Sequence, residues 1–147
     1  MKLTNALKTK SRLAGELVRL QNIFRRENSR RNDNPSKENA GEIWNQIVAM
    51  SEKLGELKAK IAAANVPIYP KIERMAELKS RIAYLHALPV REGEELVVQY
   101  GSEPLKYNWT AFLNQQAIDA HVHTLQDQIN LLQDEIDAFN ATTDLTE

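Results

Sequence analysis

Cysteine is absent from the chain, and with it go disulfides, zinc fingers and thiol catalysis; a reducing, cytoplasmic setting is the expectation. Glycines stand alone at 15, 41, 55, 93 and 101, with neither Gly-x-Gly nor Gly-Lys-Ser/Thr, so no phosphate-cradling loop is present. Long apolar runs are missing too. The longest cover residues 61–64 and 66–69, the second broken by Pro67, against the roughly 20 residues that a membrane-spanning helix needs. The first fifteen residues carry Lys2, Lys8, Lys10 and Arg12 without an apolar stretch between them, which is not how a secretory signal reads. Without export, the acceptor-like triplets at Asn108 and Asn140 are chance matches.

What the chain does have is apolar residues at alternating spacings of three and four. One series is Ile43, Ile47, Met50, Leu54, Leu57, Ile61 and Ala64; a second is Ile118, Val122, Leu125, Ile129, Leu132, Ile136 and Phe139. The two superpose with a constant offset of 75 residues. The amino-terminal series, Leu3, Ala6, Lys10, Leu13, Leu17, Leu20 and Phe24, keeps the rhythm with Lys10 as its one departure. A 3.5-residue period over three heptads keeps an apolar stripe facing a partner helix along its length. At 147 residues the chain has the size of one domain. The pattern predicts a mainly α fold: a four-helix bundle, or paired helical hairpins, with long heptad seams.

Punctuation sets the expected helix limits at about 2–31, 35–65, 70–88 and 114–140. Residues 27–39 hold no apolar side chain, and Asn34-Pro35 reads as an N-cap with proline at the first helical position. Asn65 and Asn140 read as left-handed C-caps, with Pro67 and Pro70 barring continuation of the second helix. Between the third and fourth helices the period changes to two. Leu96, Val98 and Tyr100 alternate, as do Leu105, Tyr107 and Trp109 after Gly101-Ser102-Glu103-Pro104, which predicts a β-hairpin over about 94–110. A lone two-stranded ribbon is marginal in water, so this one is expected to lay its aromatic face on the helices or pair with another ribbon.

Charge is near balance overall but sorted along the chain. Residues 1–31 carry nine Lys or Arg against Glu16 and Glu27, for +7, whereas residues 114–147 carry seven acids and no base, for −7. Burying a large seam residue is worth roughly 1.5 to 3 kcal/mol and an exposed ion pair about 0.2 to 1. Seams therefore supply stability, and the opposite charges are expected to set the first and last helices side by side, within one chain or across a dimer.

Catalytic and metal patterns are sparse. His121 and His123 point apart on a helix, Asp119 and His123 form at most two ligands of an incomplete site, and no Glu-x-x-His occurs. Neighbouring acids Glu94-Glu95 and Asp134-Glu135 are of the solvated kind, so no cofactor, no metal and no enzymatic activity are expected. Arg25, Arg26, Arg30, Arg31 and Lys37 form the one concentrated basic cluster, a candidate contact for an anion or a partner. Glu27 and Asp33 interrupt it, and Phe24, its nearest aromatic, belongs to the seam, so solvated or intramolecular use outweighs nucleic acid or a membrane surface.

Met1-Lys2-Leu3 with Ala6-Leu7, the arginine-rich link before Pro35, and the closing Asn140-Ala141-Thr142-Thr143-Asp144-Leu145 resemble the septicolysin-like family of small bacterial proteins. That resemblance implies a bacterial protein and brings no established activity; the family name implies a cytolysin. The expectation is a cytoplasmic, non-enzymatic helical interaction or scaffold protein with an unknown partner. A homo-oligomer is expected because Leu7, Ala14, Val18, Trp44, Val48 and Leu131 widen the apolar face beyond a two-helix stripe.

Overall fold

Four helices and one two-stranded ribbon follow one another in a computed structural model that describes residues 1–146. They are α1 (Leu3–Glu27), α2 (Ala40–Asn65), α3 (Tyr69–Ala87), β1 (Gly93–Val97), β2 (Leu105–Trp109) and α4 (Gln115–Thr142). Helices hold 67% of the chain, which makes the fold mainly α, with the small hairpin where the period changed. The residues group into two compact units, Met1–Tyr69 with the chain from Asp137 onward, and Pro70–Ile136.

In the first unit α1 and α2 lie antiparallel. The start of α1 meets the end of α2 around Leu3, Ala6 and Ile61, joined by Phe139 and Leu145; the end of α1 meets the start of α2 around Leu20, Ile43 and Ile47. Every position of the α1 series is buried or half-buried, Lys10 included, and Glu27, the next step in the same spacing, is buried as well. The basic helix α1, with six Lys or Arg against Glu16 and Glu27, thus packs on α2, whose three acids and three lysines cancel. Apolar burial chose that neighbour. The described ion pair between the basic and acidic ends of the chain is Lys2 Nζ to Asp144 Oδ2, at 2.7 Å.

That pair sits in a junction of the termini. Lys2 and Asp144 form an antiparallel bridge, Leu3 N–H donates to Thr143 O at 2.8 Å, and Leu145 N–H donates to Met1 O at 2.9 Å. Thr143 thereby satisfies one of the orphan amides opening α1, whose N-cap residue, Lys2, offers no side-chain acceptor. The Asp144 carboxylate is held below its usual range by the hydrogen bond from Lys2.

In the second unit, α3 and α4 share a core of Leu78, Leu85, Ile118, Leu125 and Ile129. Lys71 near the start of α3 bridges Glu135 near the end of α4 at 2.7 Å, while Leu85 and Leu113 share one groove, so these helices are antiparallel too. Val90 and Leu113, at the two ends of the intervening connection, pack on the same core.

Several expected boundaries move. α1 ends at Glu27, not Arg31, its Asn28 N–H closing on Phe24 O at 2.8 Å. α2 begins at Ala40, not Pro35: the Ser36 hydroxyl bonds Glu38 O and the Glu27 carboxylate, which holds that segment in turns. The N-cap is Asn39, whose Oδ1 accepts from Glu42 N–H at 3.1 Å in an Asn-x-x-Glu arrangement. Asn114 caps α4 in the same way through Ala117 N–H at 2.9 Å. Neither Asn65 nor Asn140 is a left-handed C-cap, since among the described residues only Gly93 and Gly101 have positive φ. α4 instead continues two residues past Asn140.

Candidate functional site

The basic cluster divides when α1 stops at Glu27. Arg25 and Arg26 fall in the last helical turn, where the negative pole of the helix favours cations, and both stay exposed. Arg30 and Arg31 lie beyond it. Arg30 Nη2 reaches Glu27 Oε1 at 2.5 Å, and Arg31 Nη2 reaches Asp33 Oδ2 at 2.5 Å. The Ser36 hydroxyl donates to the other oxygen of Glu27, and this bond together with Arg30 holds the Glu27 carboxyl below the ordinary carboxylate range. Of the five cluster residues, then, two are spent on neighbouring acids, and Arg25, Arg26 and the exposed Lys37 face outward. Arg25 lines a shallow groove with Gln21, Phe24, Asn28, Trp44 and Ile47, in which the Phe24 and Trp44 rings lie 5.5 Å apart.

Lys10, the break in the first series, is half-buried at a groove of about 400 Å³ whose other lining residues are Lys58, Ile61, Ala62, Asn65, Val66 and Tyr69. Half-burial is compatible with a lysine at a seam position, since the aliphatic stem can cover apolar wall while the ammonium stays in water. Asp119 and His123 do not converge: Asp119 accepts from Gln115 Nε2 at 2.8 Å, and His123 Nε2 stands 3.6 Å from Asp127 Oδ2.

The ribbon is the surface that departs furthest from expectation. β1 and β2 are antiparallel, pairing Gly93 with Trp109, Glu94 with Asn108, Glu95 with Tyr107, Leu96 with Lys106 and Val97 with Leu105. Paired residues share a face. Leu105, Tyr107 and Trp109 therefore stand with Gly93, Glu95 and Val97, whereas Leu96 belongs to the opposite face with Lys106. Val98 and Tyr100, expected in the first strand, lie in the turn beyond it. Gly93 (φ 91°) and Gly101 (φ 82°) hold backbone conformations that glycine alone adopts cheaply, one opening β1 and one inside the turn.

Across this face Trp109 Nε1–H donates to Glu95 Oε2 at 2.5 Å, Arg91 lies 5.2 Å over the Trp109 ring, and Arg91 Nη1 meets Glu95 at 3.2 Å. Those three side chains brace the ribbon at its Gly93 end. They do not cover it. All five residues of β2 are exposed, Tyr107 at 51% and Trp109 at 47%, so the aromatic face does not pack onto the helices. Leu96, Val98, Tyr100, Leu105 and Phe112 add to the exposed apolar area along this connection.

On the helices, Leu7 and Ala14 from the second apolar set are half-buried, while Val18, Trp44, Val48 and Leu131 remain exposed. The ribbon's outward face could be found in the sequence only as alternation, which names the residues on each strand's face but not which faces coincide. No helix is long and apolar enough to cross a membrane among the described residues. Comparison with family models, curated proteins and solved structures finds no match to the chain.

Proposed function

We propose that the protein is a non-enzymatic, homo-oligomeric interaction or scaffold module of the bacterial cytoplasm. One observation carries this reading: the connection between α3 and α4 is anchored at Val90 and Leu113, yet presents Leu96, Val98, Tyr100, Leu105, Tyr107, Trp109 and Phe112 to solvent. Scattered apolar residues on a surface are ordinary, but a run of this kind on one short element is the signature of a contact surface. Val18, Trp44 and Val48 on the α1–α2 hairpin support the same reading.

The shifted titratable groups are members of hydrogen-bonded ion pairs. Glu16, Glu27 and Asp144 are lowered chiefly by hydrogen bonds from Arg19, Ser36 and Lys2, and Arg19 is raised by its bond to Glu16. Each of these shifts stabilises the charged form; a carboxylic acid poised to donate a proton near neutral pH needs the opposite shift. Arg25, exposed in the groove with Trp44, and the exposed Arg26 give the nucleic-acid and anionic-surface alternatives their remaining support.

Light scattering and sedimentation over a concentration series test the proposal. The expected result is a mass above that of one chain; a 16.8 kDa species at every concentration overturns it. Salt-sensitive gel shifts, or dye release from anionic liposomes, would replace the scaffold reading with a nucleic-acid or membrane-active one.

A further inference from the structure

A two-stranded antiparallel ribbon has two outer edges, each with alternate backbone amides and carbonyls unpaired, and three or more strands are the usual minimum for stability in water. The two edges here differ in kind. β1 carries Glu94 and Glu95 with Glu92 just before it, and two of its residues are half-buried. Pairing β1 with itself across a twofold axis at Glu95 sets that carboxylate against its own copy, and an axis at Glu94 does the same. β2, Leu-Lys-Tyr-Asn-Trp, carries one charge and is exposed throughout.

We infer that the outer edge of β2 pairs antiparallel with β2 of a second copy of this chain, about a twofold axis at Tyr107, giving a four-stranded sheet in the order β1-β2-β2-β1. The occupant follows from the residues. Keeping the aromatic face continuous requires partners of like parity, so the axis must pass through a residue and not between two. An axis at Leu105 brings Pro104 opposite Lys106, and proline donates no ladder hydrogen bond. An axis at Lys106 opposes two ammonium groups. An axis at Asn108 runs the pairing past the end of β2 into Thr110 and Ala111, outside the strand.

The axis at Tyr107 keeps all five residues of β2 in register. Leu105 faces the second copy's Trp109, Tyr107 faces its own equivalent, and Lys106 faces the amide of the second copy's Asn108. Aromatic and apolar pairs of this kind stabilise antiparallel strands, and no like charges meet. On one face the sheet then gathers Val97, Leu105, Tyr107 and Trp109 from each chain. On the other, the second copy's Glu94 lies in the same row as Lys106, one strand beyond Asn108. A closed twofold contact also occupies both β2 edges, and leaves at the ends of the sheet only the β1 edges with their acidic residues. This inference rests on the oligomeric reading and names the surface and partner that serve it.

The chain has no cysteine, so one introduced thiol reports its own neighbours. In this register the Tyr107 Cα atoms are about 4.5 to 5.5 Å apart, within disulfide range. Tyr107→Cys is expected to form a covalent dimer under mild oxidation, whereas Glu103→Cys, four residues from the axis, is not. Charge tests the register. Asn108→Lys opposes Lys106 twice per dimer and is expected to raise the dissociation constant by about twofold to thirtyfold; Asn108→Glu is expected to lower it by a similar factor.

Asn108 is exposed but pairs with Glu94 inside the ribbon, so hydrogen-exchange protection of the β1–β2 amides in both variants serves as the check that the ribbon is unchanged. Equal cross-linking of the two cysteine variants overturns the register, as does any result in which the two Asn108 variants shift association in the same direction or not at all. If the chain still associates under those outcomes, the ribbon pairing fails alone. If it is a monomer throughout, the oligomeric reading fails with it.

Discussion

Two connections join antiparallel helices in this protein, and they are built from opposite chemistry. Residues 28–39, between α1 and α2, contain no apolar side chain. That segment closes on itself through polar groups: Arg30 and Ser36 on Glu27, Arg31 on Asp33, Ser36 on Glu38 O, Asn39 on Glu42 N–H. The connection between α3 and α4 is rich in aromatic and branched residues and forms a ribbon, yet it leaves most of them in water. The polar groups just named find partners within the chain, although Arg30 Nε is buried without one. Apolar surface in the second has no such local remedy, because a two-stranded ribbon has too few neighbours to cover either face.

The sharpest way to break the comparison is to delete a side chain from each environment. Ile118, in the core beneath the second connection, is 1% exposed, whereas Trp109 on the ribbon is 47% exposed. Ile118→Ala is expected to cost about 2 to 5 kcal/mol in urea unfolding, through lost burial and the cavity left behind. Trp109→Ala is expected to cost about 1 kcal/mol or less when measured at concentrations where the chain is monomeric. Equal costs would mean that the ribbon belongs to the core and that its exposure has been misread.

Backbone strain offers a second, smaller contrast. Gly93, at φ 91°, and Gly55, inside α2, both have open space where a Cβ would stand, so sterics do not separate them. Conformation does. Gly93→Ala forces an L-residue into the left-handed region and is expected to destabilise by about 1 to 2 kcal/mol. Gly55→Ala removes helix-interior glycine and is expected to stabilise by about 0.5 to 1 kcal/mol. Thermal midpoints give the two signs, and hydrogen exchange at the β1–β2 amides locates the first effect. Matching signs would show that the strand does not need the positive φ.

How much of this was legible in the sequence depended on whether a signal was local. The positions spaced three and four apart named the residues that are buried or half-buried on α2 and α4, since helical periodicity is carried by the chain itself. Proline at position 35 offers a competing start signal that puts the expected N-cap at Asn34, whereas the Asn39-x-x-Glu42 pattern is the one that caps α2. Glu27 sat in register with the α1 series but was not read as part of it, because its burial depends on Ser36 and Arg30, which only the folded loop supplies. The ribbon's position was readable; its register was not. Alternation marks faces strand by strand, and the seven-residue turn between Val97 and Leu105 decides which faces coincide. Pairing of the termini through Lys2 and Asp144 was likewise out of reach, being a contact across nearly the whole chain.

Acid titration probes the polar connection and gives the smallest of these effects. The Glu27 carboxyl lies below its ordinary value near 4.5, because the Ser36 hydroxyl and then the Arg30 guanidinium favour the charged form. A group whose folded value is depressed adds stability that is complete above its unfolded value and disappears as pH falls through the folded one. The contribution is therefore present above about pH 4.5 and lost below it. Glu27→Gln keeps an acceptor for Ser36 but removes the charge facing Arg30. It is expected to be less stable than the parent chain at neutral pH, with the difference shrinking as pH drops below that value. Asp144 is lowered in the same direction by Lys2, so the variant retains some acid sensitivity. A carboxyl-carbon NMR titration reads Glu27 directly, and a midpoint at or above 4.5 would show that the polar connection is solvated and not closed on itself, which removes the contrast with the ribbon.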